Sequence, residues 1–401
     1  MPDILTFAQL QAAVAGKAAA FRSVTKLQPV GGEGDKIFPA TYAGGVYATE
    51  KRRLPGESQE VECVLLNSVQ SEANHAEEAL RQAMLAGEIA LPLIEVNFSA
   101  ANENFRKPLP NLSSLEVPHR LADAILRDSN LPDGTRFSKS EYARRWSRAN
   151  LWNATPVYEL CPTALVFGMW GSPEKPGGLG AKFERAYVSE IVAVDTNNND
   201  KARRSGFRID PLEVSKSVLV RSNEEGFDLV TDAKAKGALR PSELNHGNIP
   251  YESPNTGIRC RYAEQTTVVS LGALRKLRLP VDGRQNPKLD NMGRTVLAAI
   301  GLCAGVLAAE RGTSLRSRCH LWPVETRKWE LLETPGEPPR TFELTGSSVI
   351  ALLKEAVAAA RAMGLNWMDE KLTLTPAPEL VELVKQSQEV AAKETGEGEA
   401  S

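Results

Sequence analysis

The chain has 401 residues, of which 42% are hydrophobic and 24% are charged, and its formal net charge is −2. That composition predicts a globular protein with a substantial core and argues against a disordered chain. The near-neutral total gives no indication of a polyanionic partner, and the five scattered cysteines, which form no C-x-x-C motif, favour a reducing cytoplasmic location.

The first predicted elements lead from a helix through a loop to a strand and a second helix. Apolar spacing predicts a helix over Leu5–Phe21, and the glycine-rich loop that follows carries Lys36. Val61–Leu66 has the composition of a strand. After it, Ser68 and Ser71 are potential N-caps of a helix rich in alanine and leucine. The start of that helix is the first candidate for phosphate contacts, because backbone N–H groups at a helix N-terminus attract anions; helix capping alone is the alternative.

The central part of the chain alternates short predicted elements with loops. Continuous apolar character predicts a buried strand at Pro162–Trp170, and the polar stretch Ser99–Asn111 is either a loop or a protruding hairpin. The other predictions in this part are a strand at Leu91–Phe98, an amphipathic helix at Pro118–Arg127, and a glycine-rich loop at Gly177–Lys182 before a strand at Ala186–Val194. The glycine spacing of that loop fits no nucleotide-binding motif.

The C-terminal part mixes strands and helices without steady β-α-β alternation, which favours the α+β class. Its predicted strands are Tyr262–Leu271 and Ser317–Val324, and its predicted helices are Met292–Ala309, Ser347–Met363 and Glu379–Ala392. We expect one domain with insertions over residues 1–376 and a C-terminal region over 377–401. The end of that region, from Lys393, is an acidic tail whose composition predicts disorder.

No membrane anchor, metal or cofactor is expected. The longest uncharged apolar stretch, Thr295–Ala309, has 15 residues, fewer than the roughly 20 that a membrane span needs. The four histidines and the cysteines never fall at the spacing of metal ligands.

The near-neutral total hides an uneven distribution of charge. Arg136–Arg208 holds 12 basic and 7 acidic residues, and Arg259–Arg318 holds 11 basic and 4 acidic ones. From Glu325 onward the balance is reversed, with 8 basic and 14 acidic residues. The two basic segments are candidates for phosphate binding, and solvated loops or helix faces are the alternative interpretation.

Seven blocks of sequence together resemble a known family. They are GGEGDKIFPATYAGGVYA (Gly31–Ala48), LLNSVQSEANHAEEAL (Leu65–Leu80), PHRLADAILRDS (Pro118–Ser129), LVFGMW (Leu165–Trp170), GGLGAKFERAYVSEI (Gly177–Ile191), SELNHGNIP (Ser242–Pro250) and TVLAAIGLCAGVLAAERGTSLRSRCHL (Thr295–Leu321). In their order and number they resemble the RAMP-type backbone subunit of type I-G (formerly I-U) CRISPR Cascade, the Cas-seven family of that subtype.

The resemblance implies a modified RNA-recognition-motif (ferredoxin-like) palm with large finger and thumb insertions. It implies a non-catalytic subunit whose copies stack along CRISPR RNA into a helical filament and present the guide for pairing with a target DNA strand. The other implied partners are a Cas-five/Cas-six fusion subunit and a large Cas-eight-type subunit. Because the spacer differs in every guide, such a subunit must hold the sugar–phosphate backbone without reading bases.

The candidate RNA-binding residues lie in the basic segments, in glycine-rich or turn-rich loops, or at the helix start after Val61–Leu66. They are Lys36, Ser68, Gln70, Ser71, Asn74, Arg136, Arg144, Arg145, Arg148, Lys182, Lys201, Arg203, Arg204, Arg208, Asn245, His246, Asn248, Arg316 and Arg318. Ser68, Gln70 and Ser71 match the S-x-Q-S element that faces the guide in similar proteins, while Asn74-His75 replaces the basic pair found there.

Two of these groups carry a geometric expectation. If Lys139–Arg148 is helical, Arg144 and Arg148 share one face of the helix. Arg316 and Arg318 alternate along a predicted strand and should therefore point to the same side.

An RNA-cleaving enzyme of the RAMP type is the competing interpretation. His75, His119 or His246 would then supply general acid and base, and Asp195 or Asp200 are candidates for slicing of a target. None of these residues lies in a paired catalytic motif, so we expect no catalysis.

Overall fold

The computed structural model describes residues 3–43, 45–171, 180–197, 209–215, 217–223, 226–232, 235–244, 246–248 and 257–397. Helices and antiparallel strands are mixed, so the fold class is α+β, as predicted. The helices are α1 (Phe7–Ala15), α2 (Val69–Leu85), α3 (Ala124–Arg127), α4 (Glu141–Trp146), α5 (Thr155–Leu160), α6 (Thr163–Phe167), α7 (Leu271–Leu274), α8 (Pro287–Glu310), α9 (Gly346–Ala362) and α10 (Pro378–Glu397).

The strands are β1 (Ala20–Pro29), β2 (Thr49–Arg53), β3 (Glu60–Asn67), β4 (Ile94–Val96), β5 (Leu112–Ser113), β6 (Ser129–Asn130), β7 (Met169–Trp170), β8 (Lys182–Phe183), β9 (Tyr187–Asn197), β10 (Leu219–Asn223), β11 (Gly226–Val230), β12 (Arg259–Ser270), β13 (Thr313–Arg316), β14 (Cys319–Pro323), β15 (Trp329–Leu332), β16 (Arg340–Phe342) and β17 (Leu372–Pro376). Short 3-10 turns lie at Asn102–Asn104, Arg120–Ala122, Phe137–Lys139 and Pro241–Leu244.

The largest sheet has the strand order β13-β14-β1-β12-β9-β3-β2, and neighbouring strands in it are antiparallel. Strand β1 lies near its centre, with Phe21 opposite Val269 and Leu27 opposite Ala263 of β12. Strand β15 also pairs with β1, and β16 pairs with β15. Four strands of this sheet and two helices occur along the chain in a β-α-β-β-α-β sequence, namely β1, α2, β9, β12, α8 and β14. In the sheet, these four strands have the spatial order β14-β1-β12-β9.

Helix α8 forms the centre of the main core. It packs against α1, α2, α6 and α9, and it approaches the sheet closely through glycine. A Cβ atom added at Gly301 would lie 3.2 Å from Val269, and one added at Gly305 would lie 3.2 Å from the rings of Trp329 and Tyr187. Among the described residues α8 is the one helix long and apolar enough to cross a membrane, and 83% of its apolar stretch is buried inside the protein.

The apolar residues that face the helix side of the sheet form two separate clusters. The main cluster surrounds α8 and includes Phe21 and Val269. The smaller cluster includes Leu27 and is covered by Ile37 and Tyr47 from the loop between β1 and β2. The Tyr47 hydroxyl accepts a hydrogen bond from the backbone N–H of Gly257 at 3.2 Å, which ties this loop to the start of β12.

A buried ion pair joins α2 to the segment before α3. Arg120, which has a φ of +50°, donates from Nε and Nη2 to the two carboxylate oxygens of Glu77, both at 2.6 Å. Its Nη1 donates to the carbonyl oxygen of Gly168 at 3.0 Å. The Arg120 guanidinium also lies 5.5 Å from the ring centre of Phe167. One arginine therefore holds α2 and α6 together.

The structure corrects the predicted N-terminal helix. Helix α1 ends at Ala15, and Ala20 and Phe21, which were predicted to extend the helix or to precede a loop, begin β1 instead. Strand β1 was not predicted, because its buried side alternates Phe21 and Leu27 with the polar residues Ser23 and Thr25.

Three other predicted elements are also wrong in type or length. Pro162–Trp170 is buried as predicted, but it contains helix α6 and only the two-residue strand β7. The helix predicted at Pro118–Arg127 is divided into a 3-10 turn and α3 at Asp123, whose side chain caps α3. Ser317–Val324 is not one strand, because its first two residues form the turn between β13 and β14.

Other predicted elements are confirmed. The predicted strands after Val61, Ala186 and Tyr262 are β3, β9 and β12, and the predicted helix after Ser347 is α9. Helix α10 extends to Glu397, so the predicted helix end at Ala392 and the predicted disorder of residues 393–397 are wrong. The rest of the predicted disordered tail, 398–401, lies outside the described residues.

Candidate functional site

One residue, Ser68, separates the end of β3 from the first residue of helix α2. The Ser68 hydroxyl caps it by accepting a hydrogen bond from the backbone N–H of Ser71 at 3.3 Å. The predicted capping role of Ser68 is confirmed, whereas Ser71 is the third residue of the helix. Gln70 in the same turn is exposed.

The first turns of α2 face the end of α8 across a cleft of about 510 Å³. Its lining residues come from α2 and from the junction of α8 with β13. They are Ser71, Asn74, His75, Glu78, Ala308, Arg311, Gly312 and Ser314, and we call this site the α2–β13 cleft. Two predicted RNA-binding residues, Ser71 and Asn74, therefore lie in one cleft.

The α2–β13 cleft is lined by one cationic side chain, Arg311, and one acidic side chain, Glu78. Arg311 is exposed at the C-terminal end of α8. The acidic lining residue Glu78 is already engaged, because Arg81 lies 3.5 Å from its carboxylate and Gln82 donates to it at 2.7 Å. The cleft thus offers one cationic side chain, two hydroxyls, an amide and an imidazole to a ligand.

A second group of predicted residues lies at the other end of β13. Arg316 donates to the carbonyl oxygen of Pro39 at 2.9 Å, and the Arg318 guanidinium lies 4.1 Å from the ring centre of Phe38. Lys36 is half-buried two residues before Phe38. We call the α2–β13 cleft together with Lys36, Arg316 and Arg318 the α2–β13 surface.

The expectation that Arg316 and Arg318 share a strand face is wrong. Arg316 is the last residue of β13, and Arg318 lies in the following turn with a φ of +59°. The two side chains are nevertheless brought to the same loop, since they contact neighbouring residues, Pro39 and Phe38.

A buried polar network lies behind the first turn of α2. The carboxylate of Glu72 accepts hydrogen bonds from Asn67, from the Ser189 hydroxyl at 2.7 Å and from the Gln265 amide at 2.6 Å. Arg327 donates to the Gln265 side-chain oxygen. Burial lowers the pKa of Arg327, and the nearby carboxylate of Glu72 opposes that shift.

Arginines of the first basic segment line a different cleft, of about 520 Å³, between α4, α5 and the turn at Asp282. Arg144 is paired with Glu141 at 2.8 Å, and Arg145 with Glu159 at 2.5 Å. Because both glutamates and Asp282 line the same cleft, its arginines are offset by acidic residues and it is a poor site for a polyanion.

The other arginines of that segment do not form the predicted stripe. Helix α4 ends at Trp146, so Arg148 lies beyond it and the expected shared face with Arg144 is absent. Arg136 pairs with Glu379 of α10 at 2.7 Å. That pairing lowers the pKa of Glu379, along with a backbone hydrogen bond of Glu379 itself, the larger cause.

Three further predicted residues have structural contacts. Lys182 lies 4.2 Å from the ring centre of Trp170, which is itself 63% exposed. The ring of His246 lies 5.6 Å from that of Phe227. The Asn248 side-chain oxygen accepts from the backbone N–H of Asp210 at 2.7 Å and thus closes a loop. Their role in RNA binding stays a prediction.

Several predicted residues lie outside the described part of the chain. They are Lys201, Arg203, Arg204, Arg208 and Asn245, together with the slicing candidate Asp200 and the start of the glycine-rich loop at Gly177–Leu179. Their roles stay predictions.

The catalytic candidates are dispersed. His75 lies in the α2–β13 cleft, while the backbone N–H of His119 donates to the Asp123 carboxylate at 3.0 Å. Asp195 accepts two hydrogen bonds from Arg261, at 2.9 and 2.6 Å. Within the described ranges, no three His, Cys, Asp or Glu side chains are grouped as metal ligands.

Sequence reasoning missed Arg311 and Ser314 in the cleft and Glu72 and Arg327 behind it. Arg311 could have been found from the sequence, since it directly follows the long apolar helix and lies in the same block, Thr295–Leu321, as Arg316. The pairing of Glu72 with Gln265 had no signal, because 193 positions separate them.

Part of the chain is similar to a known protein family. The family described as CRISPR-associated protein GSU0053 matches residues 21–198, which is less than half of the chain. No curated protein matches. The matched stretch contains β1, β3, α2 and β9, and it therefore includes the α2 side of the α2–β13 cleft but not Arg311 or Ser314.

Proposed function

From the similarity of residues 21–198 to a CRISPR-associated family, we propose that this protein is a non-catalytic backbone subunit that binds CRISPR RNA. Copies of the chain assemble along the guide, and they present its bases for pairing with target DNA. The observation that carries the proposal is the α2–β13 surface, where the predicted residues Ser71 and Asn74 face Arg311 across one cleft.

The chemistry of that surface suits a sugar–phosphate backbone. Hydroxyl and amide groups at a helix N-terminus donate to phosphate oxygens, and the helix dipole favours negative charge there. Arg311 and Arg316 add cationic donors, and arginine keeps further N–H groups after making one hydrogen bond. Contacts of this kind position an RNA strand without specifying its sequence.

The connectivity of the main sheet supports a modified RNA-recognition-motif palm. The β-α-β-β-α-β sequence and the spatial order β14-β1-β12-β9 are those of a ferredoxin-like unit. The hairpins β2–β3, β7–β8 and β10–β11 interrupt this sequence and are candidates for the finger and thumb insertions. In this proposal the further partners are a Cas-five/Cas-six fusion subunit and a large Cas-eight-type subunit, and the complex is cytoplasmic.

Binding to RNA is expected to fall steeply with salt and to be nearly independent of sequence. Each phosphate contact releases a counterion, so the logarithm of the affinity should fall linearly with the logarithm of the salt concentration. Fluorescence anisotropy with two labelled RNAs of equal length and unrelated sequence measures both properties. Equal affinity at low and high salt, or binding of one sequence alone, would refute the proposal.

A RAMP-type endoribonuclease is the second candidate, because His75 lies in the cleft where phosphates would bind. General acid–base cleavage needs a donor and an acceptor on opposite sides of one phosphodiester, and Glu78, the acidic group of the cleft, is engaged by Arg81 and Gln82.

We therefore expect repeat-containing RNA to remain intact after incubation with the purified protein, with or without magnesium. Gel analysis of end-labelled RNA checks this result, with His75→Ala as the matched variant. Specific cuts that disappear in His75→Ala would establish the endoribonuclease.

A further inference from the structure

One carboxylate in the first turn of α2 gathers hydrogen bonds from three strands. Glu72 is 5% exposed and directly follows Ser71 of the α2–β13 cleft. Its donors are Asn67 at the end of β3, Ser189 of β9 and Gln265 of β12. Three neighbouring strands of the sheet, β12, β9 and β3, thus converge on a side chain next to the cleft.

The network extends beyond these three donors. The Ser189 hydroxyl also lies 2.9 Å from that of Thr267, and the Gln265 side-chain oxygen accepts from Arg327, in the segment between β14 and β15. The Gln265 side-chain amide therefore connects the carboxylate of Glu72 to the guanidinium of Arg327. A carboxylate near a helix N-terminus is additionally favoured by the helix dipole.

The rotation of α2 about its axis is fixed by polar contacts, namely the hydrogen bonds of Glu72 in the first turn and the Arg120–Glu77 ion pair further along the helix. The buried side of α2 consists mainly of small residues, among them Ala73, Ala76 and Ala83. Apolar contacts of this kind are non-directional, so they tolerate small rotations of the helix. Hydrogen bonds weaken steeply with angle, and three of them on one carboxylate set the rotation of the first turn.

We propose that Glu72 is a positioning residue for the α2–β13 cleft. Through its hydrogen bonds to Gln265, Ser189 and Asn67 it fixes the direction in which Ser71 and Asn74 face the phosphates of bound RNA. This inference rests on the proposed RNA-binding function and deepens it.

Exchanging the side chains of Glu72 and Gln265 tests the inference. Glu72→Gln replaces one of the two acceptor oxygens by an amide donor, which then faces the amide donor of either Asn67 or Gln265. The double variant, Glu72→Gln with Gln265→Glu, restores a donor opposite an acceptor and places the new carboxylate at position 265 beside Arg327. Glu88→Gln, at an exposed position just past the end of α2, is the control that removes the same charge without touching the network.

Two measurements on the full-length protein separate positioning from folding. RNA affinity and its salt dependence are measured by anisotropy, and hydrogen exchange is measured for residues 69–75 with α9 as the internal reference. We expect Glu72→Gln to weaken RNA binding about tenfold and to speed exchange in 69–75 but not in α9. The double variant should recover both properties, and Glu88→Gln should match the wild type.

The outcomes distinguish this inference from the proposed function. A wild-type protein that binds no RNA overturns both. If the wild type binds RNA and Glu72→Gln binds it equally well, with only a lower melting temperature, Glu72 is structural and the positioning role is refuted while the proposed function stands. A double variant that stays as weak as Glu72→Gln also refutes the positioning role.

Discussion

Replacement of Arg120 by methionine is expected to lower the free energy of unfolding by about 3–5 kcal/mol. The side chains of Arg120 and Glu77 are 8% and 3% exposed, so the variant leaves a buried carboxylate without its cation. It also removes the donor to the Gly168 carbonyl oxygen. Urea denaturation of the wild type and the variant measures the difference.

A matched control is available on the surface. Arg144 pairs with Glu141, but the side chains are 59% and 67% exposed, so Arg144→Met should change stability by no more than about 1 kcal/mol. Equal losses in Arg120→Met and Arg144→Met would show that the burial of the Arg120–Glu77 pair has no energetic importance.

The cost of Arg120→Met should also depend on pH. Burial raises the pKa of Glu77, and Arg120 opposes that rise in the wild type. Without Arg120, burial is opposed only by the smaller electrostatic effect of Arg185, so the pKa of Glu77 in the folded variant lies further above its value in the unfolded chain. The folded state then binds more protons than the unfolded chain, so the stability of the variant should improve relative to the wild type as the pH falls toward the ordinary carboxyl pKa of about 4.3. A difference independent of pH would contradict this account.

Simultaneous replacement of Arg311 and Arg316 by alanine is expected to weaken RNA binding about tenfold or more. Each lost phosphate contact should reduce the salt dependence by about 0.7 in slope for single-stranded RNA. Anisotropy titrations at several salt concentrations measure both quantities. Lys276→Ala is the control, because Lys276 is an exposed cation paired with Glu184 at 2.6 Å outside the α2–β13 surface.

The other arginine cluster provides the decisive comparison. Arg144 and Arg148 line the cleft between α4 and α5, where Glu141, Glu159 and Asp282 offset their charge. If Arg144→Ala with Arg148→Ala abolishes RNA binding while the Arg311 and Arg316 variant binds normally, the guide lies in that cleft and not on the α2–β13 surface.

Much of the fold was predictable from local pattern. Helices α8 and α9 have long, regular apolar patterns, and β9 and β12 are rich in β-branched residues. Strand β1 was not predicted, because its buried side is not uniformly apolar. Ser23 and Thr25 are buried there, opposite Thr267 and Gln265 of the polar network around Glu72. Residues 163–167 were read as strand because a short buried apolar run has the same appearance in either conformation.

Only those contacts of the candidate site that join residues close together in the sequence were predictable. Ser68 and Ser71 could be assigned to a helix start, since capping depends on residues three positions apart. The ion pair between Arg136 and Glu379 spans 243 positions, and a basic run alone does not show that its charges are already paired. For the same reason the partners of Glu72 on β9 and β12, Ser189 and Gln265, were not predictable.

The two apolar clusters on the helix side of the sheet differ in what covers them. The main cluster lies beneath helix α8, whereas the smaller one lies beneath the loop that carries Ile37 and Tyr47. Backbone hydrogen bonds exchanged between Ile37 and Ile258 hold that loop against the start of β12. Because the smaller cluster buries less apolar area, we expect the loop to separate from the sheet at a lower cost in free energy than α8 does. In the proposed RNA complex, the margin with Lys36 and Phe38 is then the one expected to adjust to the strand, and the α2 margin is the one expected to stay fixed.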